Sequence, residues 1–325
     1  MSTTPATLTS VLDAGGPVLS RALDRTETRL AEIAEGHGET LGRYASGTLG
    51  AGGKRLRPVL VVLCGGEGDA LTSAAVAVEL LHMATLVHDD VLDAAPLRRG
   101  VATVYAVGGR GAATSTGDLL FSRAFAELAT TRSQEAVEAL SLASSALARG
   151  ELMQRADAWS ASVSSERYLE RCGLKTASLF AAACHLGALL GDAPDAAGAL
   201  AGFGRRIGLA FQILDDVLDV SGPAERTGKH RGADLLDGTV TLPLIVARDR
   251  DPELARMDLG AVVTGPTRAD AVCDRIARTG ALDEAREQAL GYVAEAKAAL
   301  NGIELPPQRL HALELVADGV VERYA

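Results

Sequence analysis

Apolar residues recur at spacings of three and four along most of this 325-residue chain, the period of a helix with one buried face. The pattern predicts helices over Val59 to Cys64, continuing from Pro58, and over Ala74 to Leu92, Leu119 to Ala129, Gln134 to Trp159, Glu166 to Leu190, Leu200 to Val220 and Leu282 to Leu300. Pro58 suits a first helical turn, where its missing N–H is no loss. Asp192-Ala193-Pro194-Asp195 and Ser221-Gly222-Pro223 break the pattern. Residues 1 to 15 and Pro223 to Gly238 are the least regular. Alternating β-branched runs are scarce, and no repeat of solenoid period emerges. The expected fold class is all-α.

Composition adds limits. With 47% hydrophobic residues the chain has ample material for a core. No Pro, Gly or Ser tract separates halves, so residues 1–325 are expected to form one domain. The net charge of −10 argues against general nucleic-acid binding. Cys64, Cys172, Cys184 and Cys273 show no metal-ligand spacing and are expected to be buried thiols. Met1 to Ser20 lacks the form of a signal peptide. The most apolar stretch, Leu179 to Leu190, is too short to span a bilayer. No transmembrane segment is expected, and the location is expected to be cytoplasmic.

Two segments interrupt the apolar periodicity with the same acid pattern. His88-Asp89-Asp90-Val91-Leu92-Asp93 and Leu214-Asp215-Asp216-Val217-Leu218-Asp219 each contain Asp-Asp-x-x-Asp. Positions i and i+4 share a helix face, so Asp89 points with Asp93 and Asp215 with Asp219. A single such stretch is as often a solvated face. Here each follows a largely apolar run, where acids are costly unless paired or metal-bound, and the pattern occurs twice. Hard oxygen ligands suit Mg²⁺, completed by waters and substrate phosphates. Two such walls facing each other would hold a diphosphate through several ions.

Basic motifs accompany the acids. Gly52-Gly53-Lys54-Arg55-Leu56-Arg57-Pro58 sets three cations behind two glycines at a helix start, where free N–H groups favour an anion. It is not a P-loop, because Thr48 and Arg55 occupy positions that need Gly and Ser or Thr. Arg98-Arg99-Gly100 follows the first acid cluster. Lys175-Thr176 lies mid-helix, Gln212 precedes the second cluster, and Gly228-Lys229 follows it in a segment ending at Thr241-Leu242-Pro243.

In this order the motifs resemble those of trans-isoprenyl diphosphate synthases of the polyprenyl synthetase family. Glu79-x-x-His82, Gly117-Asp118, Gly150-Glu151-x-x-Gln154 and Lys175-Thr176-Ala177 fit as well. The resemblance implies an antiparallel helix bundle of the isoprenoid synthase type around a central cavity, as a homodimer. It implies transfer from an allylic diphosphate to isopentenyl diphosphate with three Mg²⁺ ions. Metal would be held by Asp89, Asp90 and Asp93, by Asp215 and Asp216, and less directly by Asp219. Lys54, Arg57, His82 and Arg99 would grip isopentenyl diphosphate. Arg98, Lys175 and Lys229 would neutralise the allylic diphosphate, with Thr176 and Gln212 near the reacting carbons. An apolar product would leave by peripheral contact with a membrane.

The chemistry agrees with that assignment. Breaking an allylic C–O bond leaves a carbocation and a diphosphate, so preorganised positive charge supplies most of the rate. The isopentenyl double bond attacks the cation, and the released diphosphate takes the proton. Water must be kept away. Two positions depart from the family pattern: Thr239 stands where a Lys is usual, and His230 where a Pro is common. Thr239 removes one diphosphate-binding cation, while Lys229 remains.

Other residues have plainer readings. His82 alone would be a core histidine. His88, beside Asp89, is a candidate metal ligand for which a structural role is favoured; His185 and His230 are structural or at the surface, Trp159 and Tyr168 pack, and Asp118 bonds within the bundle. Product length is expected to follow Thr85, Ala84 and Leu81, one and two turns before Asp89. Their small members leave a tunnel open, which favours a medium- or long-chain product of about C30 or more, with geranylgeranyl diphosphate as the competitor. A terpene cyclase leaves Lys54, Arg57, His82 and Arg99 unexplained. A head-to-head synthase lacks the Gly-Gly-Lys-Arg motif, and a non-catalytic subunit would not keep both acid clusters.

Overall fold

The computed structural model describes residues 8–36, 38–50, 55–98, 100–222 and 230–322. Helices dominate, as the periodicity requires. They are α1 Leu8–Glu35, α2 Gly38–Gly50, α3 Leu56–Gly65, α4 Asp69–Leu92, α5 Val104–Ala129, α6 Gln134–Ala156, α7 Ser165–Cys172, α8 Ser178–Leu190 and α9 Ala197–Ser221. A short helix α10 Ala233–Leu236 follows, then α11 Leu242–Arg250, α12 Pro252–Arg256, α13 Leu259–Val262, α14 Pro266–Arg278, α15 Ala281–Ala299 and α16 Pro307–Glu322. Between α4 and α5 a small antiparallel hairpin pairs β1 Leu97–Arg98 with β2 Val101–Ala102.

Two sequence expectations are corrected. Residues 8–15 are helical rather than irregular. The helix kinks at Gly15-Gly16-Pro17, with Gly16 at φ 65°, while Val11, Leu19 and Ala22 keep one face buried. The helix expected to reach Trp159 stops at Ala156, because Trp159 takes a left-handed φ of 61° and its N–H bonds to the Gly238 carbonyl at 2.8 Å.

The chain divides into two compact units. The first comprises Met1–Ser144, Leu179–Gly204 and Ala299–Val316. Its core is α3 and α4, buried along most of their length. Helix α3 meets α8 through glycines. A Cβ on Gly65 would fall 2.1 Å from the Gly187 carbonyl oxygen, and one on Gly187 2.3 Å from that of Val61, so only hydrogen permits this approach. The second unit comprises Ser145–Ser178, Arg205–Ala298 and Ala317–Ala325. There the turn at Trp159 interlocks with that at Gly238, where a Cβ would fall 2.4 Å from the indole.

All four cysteines are free and buried, as expected. Asp69–Leu92 and the continuous run Ser165–Leu190 are long and apolar enough to cross a membrane. Their most apolar windows are 67% and 56% buried inside the protein, the behaviour of core helices.

Candidate active site

In the first unit the acid cluster ends α4. Apolar residues bury the helix up to Val91, and the acids occupy its last turn. Asp89 is half-buried, Asp90 is 5% exposed and Asp93 is exposed. Asp93 caps the helix, its N–H donating to the Asp89 carbonyl at 2.8 Å, so Asp89 and Asp93 share a face as the spacing predicts. The hairpin folds Arg98 back, and its Nε donates to Asp90 Oδ1 at 2.7 Å. This charge-assisted bond makes burial of Asp90 tolerable.

His88 meets α5. Its Nε2 lies 3.2 Å from Asp118 Oδ1, and a Cβ on Gly117 would fall 2.3 Å from that nitrogen. Gly117-Asp118 therefore makes room for His88 and pairs with it. Arg55, at a left-handed φ of 46°, bonds Glu27 and Glu79 at 2.5 and 2.7 Å. This cation ties the start of α3 to α1 and α4. Arg57 sets its guanidinium 4.5 Å from the centroid of Phe180, a cation–π contact. His82 is half-buried, and its carbonyl accepts from the Thr85 hydroxyl at 2.7 Å. Leu81 and Ala84 are fully buried. Lys54, Arg99 and Lys229 lie outside the described residues.

In the second unit a hydrogen-bonded chain joins α7, α9 and the segment between α7 and α8. That segment, Gly173–Ala177, is a π-helical turn rather than regular helix. Thr176 Oγ1 donates to Gln212 Oε1 at 2.7 Å, and Gln212 Nε2 donates to Asp216 Oδ1 at 2.7 Å. The Tyr168 hydroxyl donates to Asp216 Oδ2 at 2.7 Å. Burial pushes the Asp216 carboxyl well above the ordinary range, and Asp234 and Asp215 add to it against the pull of Tyr168 and Gln212. Asp215 is exposed. Asp219 caps α10, accepting from the backbone N–H groups of Ala233 and Asp234 at 3.1 and 3.2 Å.

Lys175 is held by α6. Its Nζ donates to Glu151 and, at 3.1 Å, to Gln154 Oε1. Burial raises the Glu151 carboxyl, but the Lys175 ammonium and Arg155 outweigh it, leaving it below its usual value. A Cβ on Gly150 would lie 2.5 Å from the Lys175 backbone nitrogen, so α6 rests directly on the π turn. Thr239 is half-buried, its N–H donating to the Asp234 carbonyl at 2.8 Å.

Sequence reasoning gave Tyr168 only a packing role and left Glu151, Gln154 and Asp234 without one. The motif Gly150-Glu151-x-x-Gln154 marked two of these, but nothing local marked their partner. Among the described residues no three His, Cys, Asp or Glu side chains converge as a ready metal cage. Mg²⁺ rarely takes one, since waters and substrate phosphates complete its shell. Each carboxylate cluster has one buried member, Asp90 in the first and Asp216 in the second.

Residues 39–276 match the sequence model described as polyprenyl synthetase. Component 2 of the heptaprenyl diphosphate synthase of Geobacillus stearothermophilus is 38% identical over 296 residues, covering 90% of this chain and 92% of its own. The geranylgeranyl diphosphate synthase of Methanosarcina mazei is 36% identical over 283 residues, covering 84% and 86%. Among solved structures, a polyprenyl synthase from Caulobacter crescentus CB15 complexed with calcium and isoprenyl diphosphate superposes with a TM-score of 0.89. Its identity is 35%, over 96% of this chain and 98% of that one.

Proposed function

This chain belongs to the polyprenyl synthetase family and has the all-α isoprenoid synthase fold, and we propose that it condenses isopentenyl diphosphate head-to-tail with an allylic diphosphate. The observation that carries the proposal is the pair of Asp-Asp-x-x-Asp clusters, each with its second acid buried (Asp90 and Asp216). Mg²⁺ suits these donors, because Asp216, crowded by Asp234 and Asp215, gains from a nearby cation. When bound, Mg²⁺ supplies charge neutralisation for the departing diphosphate. Asp89, Asp90, Asp93, Asp215 and Asp216, with Asp219, would hold it.

Arg98 and Lys175, resting on Asp90 and Glu151, are suited to turn to diphosphate oxygens, with Lys229. Lys54, Arg57, His82 and Arg99 would bind isopentenyl diphosphate. Thr176 and Gln212 would set fixed dipoles beside the reacting carbons. The released diphosphate would take the proton. We propose a single isoprenoid synthase domain over residues 1–325, in a cytoplasmic homodimer whose apolar product reaches a membrane by peripheral contact.

The product is proposed to be medium or long, about C30 or more, because Ala84 and Thr85 are small and Leu81, a turn earlier on the helix, would be only a partial floor. A geranylgeranyl product is the second reading, favoured by the Methanosarcina relative. The test is a Mg²⁺-dependent assay with isopentenyl diphosphate and a series of allylic primers, with products identified by mass spectrometry. A ladder of long polyprenyl diphosphates is expected, and Ala84→Phe should shorten it. A stop at geranylgeranyl diphosphate in the wild type would remove the long-chain reading. No elongation with any primer would remove the reaction itself, unless a second component like that implied by the Geobacillus name restores it.

A further inference from the structure

The network on Asp216 contains one group to which the proposed reaction gives no task, the Tyr168 hydroxyl. We propose that Tyr168 is a positioning residue that clamps the Asp216 carboxylate in the orientation that receives a metal–diphosphate; this rests on the prenyl-transfer reading. Tyr168 is fully buried. A phenylalanine would fill the same space without the cost of desolvating a hydroxyl. That hydroxyl spends its proton on Asp216 Oδ2 at 2.7 Å, while Gln212 takes Oδ1 at 2.7 Å. With both oxygens gripped the carboxylate cannot rotate, and each oxygen keeps a lone pair for a further partner.

Both grips are themselves held. Thr176 fixes the Gln212 amide at 2.7 Å. Arg171 sets its guanidinium 5.4 Å from the Tyr168 ring centroid and bonds the Val240 carbonyl at 2.5 Å. The π turn has a part in this. Eight residues of regular helix would turn Thr176 about 80° away from Tyr168. One extra residue in a wide turn brings them back to within about 20°. Tyr168 and Thr176 thereby bear on one face, toward Asp216 and Gln212.

Tyr168→Phe in the full chain tests this. Two readouts are needed: the Mg²⁺ midpoint and kinetic constants of turnover, and the Mg²⁺ needed for thermal stabilisation by inorganic pyrophosphate. The variant should raise both Mg²⁺ midpoints and lower kcat by about 10-fold, in line with losses on removing a partner of a metal ligand. KM for isopentenyl diphosphate should stay within about 2-fold. Ile276→Ala, a loss from the buried face of α14 in the same unit, should lower Tm and leave both midpoints unchanged. Wild-type midpoints in Tyr168→Phe, or an equal displacement in Ile276→Ala, would overturn the proposal. Should Tyr168→Phe fail to fold, Gln212→Met removes the other grip, and unchanged midpoints there overturn the clamp. Pyrophosphate stabilisation needs no turnover, so it reports on the clamp even if prenyl transfer is absent.

Discussion

The two aspartate clusters share a sequence pattern and differ in their surroundings. Asp90 is held by a cation, Arg98. Asp216 is held by neutral donors, Tyr168 and Gln212, with Asp234 and Asp215 close enough to raise its carboxyl further. Burial is similar at the two, 5% and 3% exposed. The buried acid of one cluster is therefore ion-paired, and that of the other is gripped by neutral donors with two further acids beside it. The same motif yields a salt-bridged acid in one place and a raised, neutral-donor-held acid in the other.

Exchanging the buried acid in each cluster tests that contrast most severely. Asp90→Asn and Asp216→Asn should each lower kcat by about 10³-fold or more if both serve the leaving diphosphate. Their stabilities should part. Asp90→Asn loses a charge-assisted bond worth about 1.5–3 kcal/mol and should lower Tm. Asp216→Asn, measured without Mg²⁺, should leave Tm at or above the wild-type value. Calorimetry decides, and equal losses would break the comparison.

The glycines beside the two sites sharpen it. An added Cβ at Gly150 meets the backbone of Lys175, whereas one at Gly117 meets the His88 ring, which can move. Gly150→Ala should cost about 2–3 kcal/mol and Gly117→Ala about 1 kcal/mol, the range for overpacked sites. Denaturant unfolding would show the order, and a reversed order would contradict the packing.

A pH series tests the charge argument with a smaller effect. Asp216 is an acid raised on folding, so its contribution is full below its unfolded value, about 4, and is lost as pH rises through the folded value. In chelator, the wild type should lose stability relative to Asp216→Asn as pH climbs from about 4 toward neutral. Saturating Mg²⁺ should erase the difference. Least affected should be Asp118→Asn, whose partner contact with His88 is at an acid 69% exposed; a change under about 0.5 kcal/mol in stability is expected, with kcat within about 2-fold.

Much of the fold was legible. Helix period marked α4 and α9 and placed an acid cluster on each, because burial of one face repeats every few residues. The terminal helices were harder. Gly15-Gly16-Pro17 looks like a break, and only the buried faces of Val11, Leu19 and Ala22 carry α1 across it. The π turn was invisible, since Gly173-Leu174-Lys175-Thr176-Ala177 has no local signature, and neither does the close seat of Gly150 against it.

The sequence by itself determined the all-α class and the family, because periodicity and ordered motifs are properties of neighbours along the chain. It also determined which acids and cations are available for diphosphate chemistry. Only the tertiary structure decided what each of them touches. Tyr168 meets Asp216 across 48 positions, Thr176 meets Gln212 across 36 and Lys175 meets Glu151 across 24. Hydrogen bonds reach about 3 Å, so such pairs exist only once packing has brought separate helices together. The charge of a buried carboxylate is then set by neighbours that its own segment does not contain.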